Sequence, residues 1–454
     1  MDQKIYDLID GYRDEFVKTL QEWVRVPSVR DEPADGAPFG RKIGRMMDLA
    51  VRTAQRMGFR TRTFDGYACD ATLGSAPETL GVLGHLDVVP VGDGWVKDPF
   101  GAEIENGRIY GRGSNDDKGP TLAALYAMKA VKEAGIPLKR SIRLIMGGDE
   151  ECDWQCMEYY REHADMPEIG FSPDASFPLI NTEKGMIHFK LRFPAAENGL
   201  RILKLATGER PNVIAGECRA LLEGGASLAE KVREYAKETG LDYQAEMTQD
   251  GVWVTATGIS GHSAYPDGKR SAIGMMLKLL KELGAAGGIA VLADAVGLET
   301  DGQSLGCACR DMVSGPLTNN MGILRLEGSE WTATLDFRCP VNADQEMLIR
   351  NCREHLPGIR VEVTEQKPAH HVPADSELVR DLLAAYEEES GLPGEAMSTG
   401  GGTYAKVLKQ GVAFGAVFPG EEELAHLANE YESIDSLMLA MKIYANALIR
   451  LCAE

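Results

Sequence analysis

The sequence predicts an α/β fold in which a mixed, mainly parallel sheet is flanked by helices and interrupted by an inserted α+β domain. Three observations carry that prediction. Four times an apolar, strand-like run empties into a loop holding His, Asp or Glu: 80–83 before His85-Leu86-Asp87, 142–146 before Asp149-Glu150-Glu151, 168–171 before Ser172-Pro173-Asp174, and 412–417 before His426. Helix and strand alternate from 122 to 174, as crossover helices between strands require. From 186 the pattern changes to alternating strands with long helices, and it reverts near 374. The predicted division is therefore 1–185 and 374–454 as two parts of one domain, with 186–373 as an inserted lid.

Each element has a local reason. Ile5, Leu8, Ile9, Tyr12, Phe16, Leu20 and Trp23 fall at helical spacing, and the run stops before Val26-Pro27. A second amphipathic run places Ile43, Met46, Met47, Ala50, Ala54 and Met57 on one face and ends at Gly58, a residue suited to a C-cap. These methionines read as core. Strand-like pieces at 61–64 and 68–73 follow. Asn106-Gly107 separates strand-like 102–104 from 109–110, a hairpin signal that would return the chain toward His85. A helix over 122–131 comes next. In the inserted region a strand over 186–193, helices over 227–238 and 271–283, and paired strands 322–326 and 331–337 around Glu327-Gly328-Ser329 are expected. A Gly-rich turn, a strand and a helix over 434–451 finish the chain.

A length of 454 residues suits about three domains or two larger ones. The formal charge of -21 opposes binding to nucleic-acid phosphates. Nine cysteines without regular spacing read as reduced thiols; Cys152 with Cys156, or Cys307 with Cys309, lacks the second pair a metal site would need. No apolar stretch approaches the roughly 18 residues of a membrane span, and no signal-like segment opens the chain, so a cytoplasmic location is expected.

In an open parallel sheet, ligands bind outside the carboxyl ends of the strands, so the four loops can converge on one site. His85, Asp116, Glu151, Asp174 and His426 offer nitrogen and oxygen donors suited to zinc and, less selectively, to manganese or cobalt. Five side chains exceed the needs of one catalytic zinc. If one carboxylate bridges, each of two ions has three protein ligands and an open position. Asp87 is placed to accept the proton of His85's other ring nitrogen. Glu150 and Glu151 are adjacent and point in opposite directions in extended backbone, so one can ligate while the other serves as general base. Simpler readings exist for each piece: His85 as a hydrogen-bonded loop residue, Asp116-Asp117 as a helix cap, either glutamate as an acid at a helix N-terminus. Recurrence across four loops favours the metal.

The ordered set His85-Leu86-Asp87, Gly113-Ser114-Asn115-Asp116-Asp117-Lys118-Gly119, Asp149-Glu150-Glu151, Ser172-Pro173-Asp174 and His426 resembles the co-catalytic zinc exopeptidases of metallopeptidase family 20, grouped with acetylornithine deacetylase and succinyl-diaminopimelate desuccinylase. Gly94-Trp95, Pro99-Phe100, Asp116 to Pro120, Phe171 to Asp174 and Gly400-Gly401-Gly402-Thr403-Tyr404-Ala405 are similar to motifs of its dipeptidase V (PepV-like) branch. The resemblance implies a phosphorylase/hydrolase-like zinc peptidase domain. It also implies that Asp116 bridges, with His85 and Asp174 on one ion, Glu151 and His426 on the other, and Glu150 as the base beside Asp87. A cis peptide between Asp116 and Asp117 is part of the same implication. In the lid it implies that His262 of Gly261-His262-Ser263-Ala264 binds the oxyanion, while Asn212 and Arg338 hold the substrate backbone.

The expected function is a dinuclear metal-dependent dipeptidase, a monomer or homodimer acting on small peptides. An N-acyl-amino-acid deacylase or carboxypeptidase would use the same metals and base; a metal-binding scaffold would have no need of Glu150. His163, His188 and His355 lack acidic or Gly-rich context and read as structural or exposed, and His370-His371 reads as a hinge or surface pair. Arg338 has a simpler reading as a partner of Asp336.

Overall fold

The computed structural model describes residues 1–196 and 198–454, which form two compact units. Unit 1 comprises Met1–Asn181, His371–Met397 and Gly402–Glu454; unit 2 comprises Thr182–His370 and Ser398–Gly401.

Unit 1 is built on strands β1 (Arg60–Phe64), β2 (Ala68–Leu73), β3 (Thr79–His85), β4 (Ser141–Gly147), β5 (Ile169–Ser172), β6 (Leu179–Glu183) and β7 (Gln410–Ala413), in the spatial order β1-β2-β4-β3-β5-β7-β6. The central strands β4, β3, β5 and β7 run parallel, while β1, β2 and β6 pair antiparallel at the margins. Parallel strands buried on both faces read as continuous apolar runs, and β3 is buried from Leu80 to His85. Helices α1 (Gln3–Val24), α2 (Arg41–Arg56), α3 (Lys118–Ala134), α4 (Gln155–His163), α5 (Glu377–Ser390) and α6 (Ile434–Cys452) complete the unit. Helix α3 is apolar almost all round and buried from Lys118 to Met128, because α1 and α6 pack beside it. Gly135, at φ 76, closes it in the left-handed conformation that lacks a Cβ penalty. Met46, Met47 and Met57 lie in this core.

The strand expected over 412–417 breaks in two. β7 stops at Ala413, and Ala416–Val417 pairs instead with Ala175–Ser176. Gly415, at φ 79, makes the break: a Cβ there would lie 2.2 Å from the Phe177 ring. The expected hairpin is present, with Asn106 and Gly107 at φ 51 and 75 between Glu103–Glu105 and Arg108–Tyr110. Arg108–Tyr110 then pairs with Tyr431–Ser433, so the hairpin carries the chain to the segment that follows His426.

Unit 2 is an eight-stranded antiparallel sheet with helices Ala226–Thr239, Ala272–Glu282, Gly288–Ala295 and Gln345–Glu354, around a core of its own. Two of its long strands, Thr318–Glu327 and Glu330–Cys339, pair around Gly328-Ser329, and Ser271 caps the helix Ala272–Glu282 by accepting from Gly274 N. Residues 398–401 pack here, although the sequence places them in a stretch expected within the other domain. Lys184 N donates to the Thr399 carbonyl at 2.9 Å and Arg338 Nη1 to the Gly400 carbonyl at 2.9 Å. Among the described residues no helix is long and apolar enough to cross a membrane.

Candidate metal centre

Strand β3 delivers His85 to the carboxyl edge of the sheet. Gly84 is required there, since a Cβ would lie 1.9 Å from Thr121 Oγ1 at the start of α3. Asp117 Oδ2 secures this approach by accepting from His85 N at 3.1 Å and from Thr121 Oγ1 at 2.7 Å. His85 Nδ1 lies 2.9 Å from the Asp87 carbonyl, which can only accept, so Nδ1 carries the proton and Nε2 faces Asp116 Oδ1 at 2.9 Å and Asp174 Oδ2 at 3.6 Å. A carbonyl two residues on thus lies nearer Nδ1 than the expected carboxylate partner does. Asp87's own carboxylate, 3.5 Å from Nδ1, accepts the backbone amides of Glu150 and Glu151, each at 3.1 Å.

Those two amides lie in the turn between β4 and α4. Asp149, not either glutamate, receives the amide at the helix start, accepting from Gln155 N at 3.0 Å while Arg30 Nη1 donates to its other oxygen. With Asp87 on one side and Asp149 on the other, the turn sends Glu151 to His426 Nε2 at 3.0 Å. Among the described residues the Glu150 carboxylate makes no hydrogen bond, although it feels the charges of Asp174, His85 and Glu151.

His426 and Asn429 hold φ values of 66 and 62, left-handed conformations that turn the chain sharply past the site. His426 Nε2 reaches Asp116 Oδ2 at 3.1 Å. The Asp116–Asp117 peptide bond is cis. Two groups result, His85-Asp116-Asp174 and Asp116-Glu151-His426, each with one ligand atom per residue within 4.8 Å of the others. Asp116 belongs to both.

The charges in this group are unevenly balanced. Burial, then the field of Asp174, pushes Glu150 well above the ordinary carboxylate range, and burial, then Asp116, does the same for Asp174. Glu151 is raised by burial and by Asp116. Burial works against the charge on His426, but hydrogen bonds with Asp116 and Glu151 push it up to about 11. His85 is likewise raised well above its usual value against its own burial, by Asp116, Asp174 and Asp87. Asp116 moves the opposite way: burial opposes the shift, but both imidazoles hold it low. Imidazole and carboxylate donors gathered in threes around a shared aspartate are a donor set that fits divalent metal.

The remaining candidates lie in unit 2. Asn212 Nδ2 is 3.4 Å from His262 Nε2, and Val213 pairs with His262 across two short strands. Ser263 Oγ donates to Asp336 Oδ2, and Arg338 Nε donates to the same oxygen at 3.1 Å. The simpler reading of Arg338 as a partner of Asp336 therefore holds for Nε, while Nη2 makes no hydrogen bond among the described residues. His188 is structural: it sits 3.2 Å from Asp336 Oδ1 and 2.9 Å from Glu365 Oε2, acids absent from its sequence context and brought beside it by strand register.

The family profile described as peptidase family M20/M25/M40 matches residues 81–450. YtjP of Bacillus subtilis (strain 168) is 38% identical over 453 residues, 97% of each chain. A Beta-Ala-Xaa dipeptidase of Lactobacillus delbrueckii subsp. lactis is 34% identical over 469 residues, covering 100% of this chain and 99% of that one. Among solved structures, human carnosine dipeptidase 1 superposes with a TM-score of 0.62 at 17% identity, over 99% of this chain and 98% of that one, a likeness of fold. The chain belongs to peptidase family M20/M25/M40 and is a metallopeptidase.

Proposed function

We propose that the chain is a dinuclear dipeptidase in which His85, Asp116 and Asp174 hold one divalent ion, Asp116, Glu151 and His426 hold the other, and Glu150 is the general base. The observation that carries this reading is the pair of three-residue donor groups sharing Asp116, with an unbonded carboxylate beside them. Zinc fits the donor set first, with manganese or cobalt as alternatives. When bound, two such ions supply Lewis-acid polarisation of the scissile carbonyl and of the attacking water. Glu150 takes the proton of that water on its carboxylate and delivers it to the leaving amine. Asp87 holds the Glu150 and Glu151 amides in place during the exchange.

Substrate contacts in this proposal are assigned to His262, Asn212 and Arg338. His262 stabilises the oxyanion, Asn212 holds the substrate backbone, and Arg338 offers Nη2 to the C-terminal carboxylate. Asp336 and the Gly400 carbonyl fix the guanidinium in advance. The whole-length likeness to a Beta-Ala-Xaa dipeptidase supports dipeptides as the substrate class. Catalytic efficiency for one dipeptide, its C-terminal amide and its one-residue extension, in the wild type and in Arg338→Ala, tests the reading. The free dipeptide should lead, amidation should cost about 30-fold or more, and the variant should not distinguish acid from amide. Equal cleavage of all three by the wild type contradicts it.

A further inference from the structure

Glu430 is fully buried, four residues beyond His426, and its carboxylate closes a backbone ring around the loop that presents Asp116. Oε1 accepts from Gly113 N at 2.9 Å, Asn115 N at 3.0 Å and Asp116 N at 3.3 Å, while Oε2 accepts from Arg112 Nη1 at 2.5 Å. The Glu430 carbonyl accepts from Gly111 N at 2.9 Å, so the same residue holds both ends of the loop. Asn429 beside it accepts from Val96 N at 2.7 Å and donates to the Gly94 carbonyl at 3.0 Å. One short segment therefore fixes His426 at its start and the Asp116 backbone at its end. Asp117 separately ties the other side of the loop to His85 and Thr121.

We infer that Glu430 is a positioning residue that sets the geometry of the Asp116-Glu151-His426 group and, to a smaller degree, that of the His85 group; this rests on the two-ion reading above. Its carboxylate touches neither substrate nor any donor atom. It acts by gathering three amides of one loop onto one oxygen, so that Asp116 and His426 keep a fixed separation. Burial of an uncompensated negative charge is avoided by Arg112, which is itself buried and stacks its guanidinium over Trp95 at 5.4 Å.

Calorimetric titration of Zn2+ into chelator-stripped full-length protein tests this, comparing wild type, His426→Ala, Glu430→Asp and Glu430→Gln. Asp keeps the charge beside Arg112 but is one methylene too short to reach the amides; Gln keeps the reach and loses the charge. The step surviving in His426→Ala identifies the His85 group. In both Glu430 variants that step should stay within about threefold of wild type and the other should weaken by about 10- to 100-fold, the range seen when a partner of a ligand is removed. Melting of the metal-free proteins accompanies the titration. An unchanged second step overturns the inference, and so does equal weakening of both steps with a matching fall in metal-free melting temperature, which would mark a purely structural role. A wild type that binds fewer than two ions overturns the two-ion reading and this inference with it.

Discussion

The Asp87 carbonyl lies nearest His85 Nδ1, and the Asp87 carboxylate holds the amides of Glu150 and Glu151. Asparagine at 87 retains one acceptor oxygen and strands one amide. Asp87→Asn should keep both ions at saturating zinc and lower kcat by about 10- to 100-fold. Steady-state turnover decides this, and an unchanged kcat would remove Asp87 from the site's support. His262→Ala should fold and bind both ions but lose about 100- to 1,000-fold in turnover, the scale of one oxyanion donor; near-wild-type turnover would exclude it from the reaction. Four of the candidate donors, His85, Glu151, Asp174 and His426, stood out in the sequence because they follow apolar runs in a recurring pattern, whereas Asp116 follows a Gly-rich turn. The roles of Asp149 and Glu430 were not legible. Nothing in sequence separates a carboxylate that accepts amides from one that would ligate, since the distinction lies in which backbone the fold brings opposite it.

At the scale of elements, strand register decides what the sequence concealed. His188 has no acidic neighbour in the chain, yet it pairs across the sheet with Asp336 on one strand and Glu365 on the other. Burial lowers its proton affinity, but the two facing carboxylates, Asp336 first, outweigh it and push the pKa up to about 9. Glu365 is correspondingly held down at about 2, first by its hydrogen bond with His188, and Asp336 is lowered in spite of its burial. Other charges facing this cluster are Arg338 beside Asp336 and Lys367 beside Glu365. Because the folded value lies above the unfolded one of about 6.5, the contribution of His188 is complete below pH 6.5 and is lost as pH rises through about 9. Urea midpoints of the wild type should exceed those of His188→Gln at pH 6, and the gap should close by pH 10. A gap independent of pH would show packing rather than charge. Elements with strong periodicity, such as α1, α2 and α6, were readable directly. The break at Gly415 was not, because it depends on the Phe177 ring packed against it.

For the molecule as a whole, the described residues form two separate cores, each gathered around its own sheet. The short stretch 398–401 escaped prediction because its attachment rests on backbone carbonyls, Thr399 and Gly400, that carry no sequence signal. Carboxyl ends of β3, β4, β5 and β7 bring four loops from distant parts of the chain to one edge, and the chemistry follows from that convergence. Ligation should also couple to folding: zinc at 100 times its dissociation constant adds about 2.7 kcal/mol of stability per site, so excess chelator should lower the melting temperature of unit 1, and a melting curve indifferent to chelator would count against ligation there. The most direct test of the central claim is metal content, by elemental analysis, measured together with dipeptide turnover on purified Glu150→Gln. Two ions per chain are expected, the same as for wild type, with turnover reduced by about 100- to 10,000-fold. Loss of metal from that variant, or turnover near that of wild type, would contradict it.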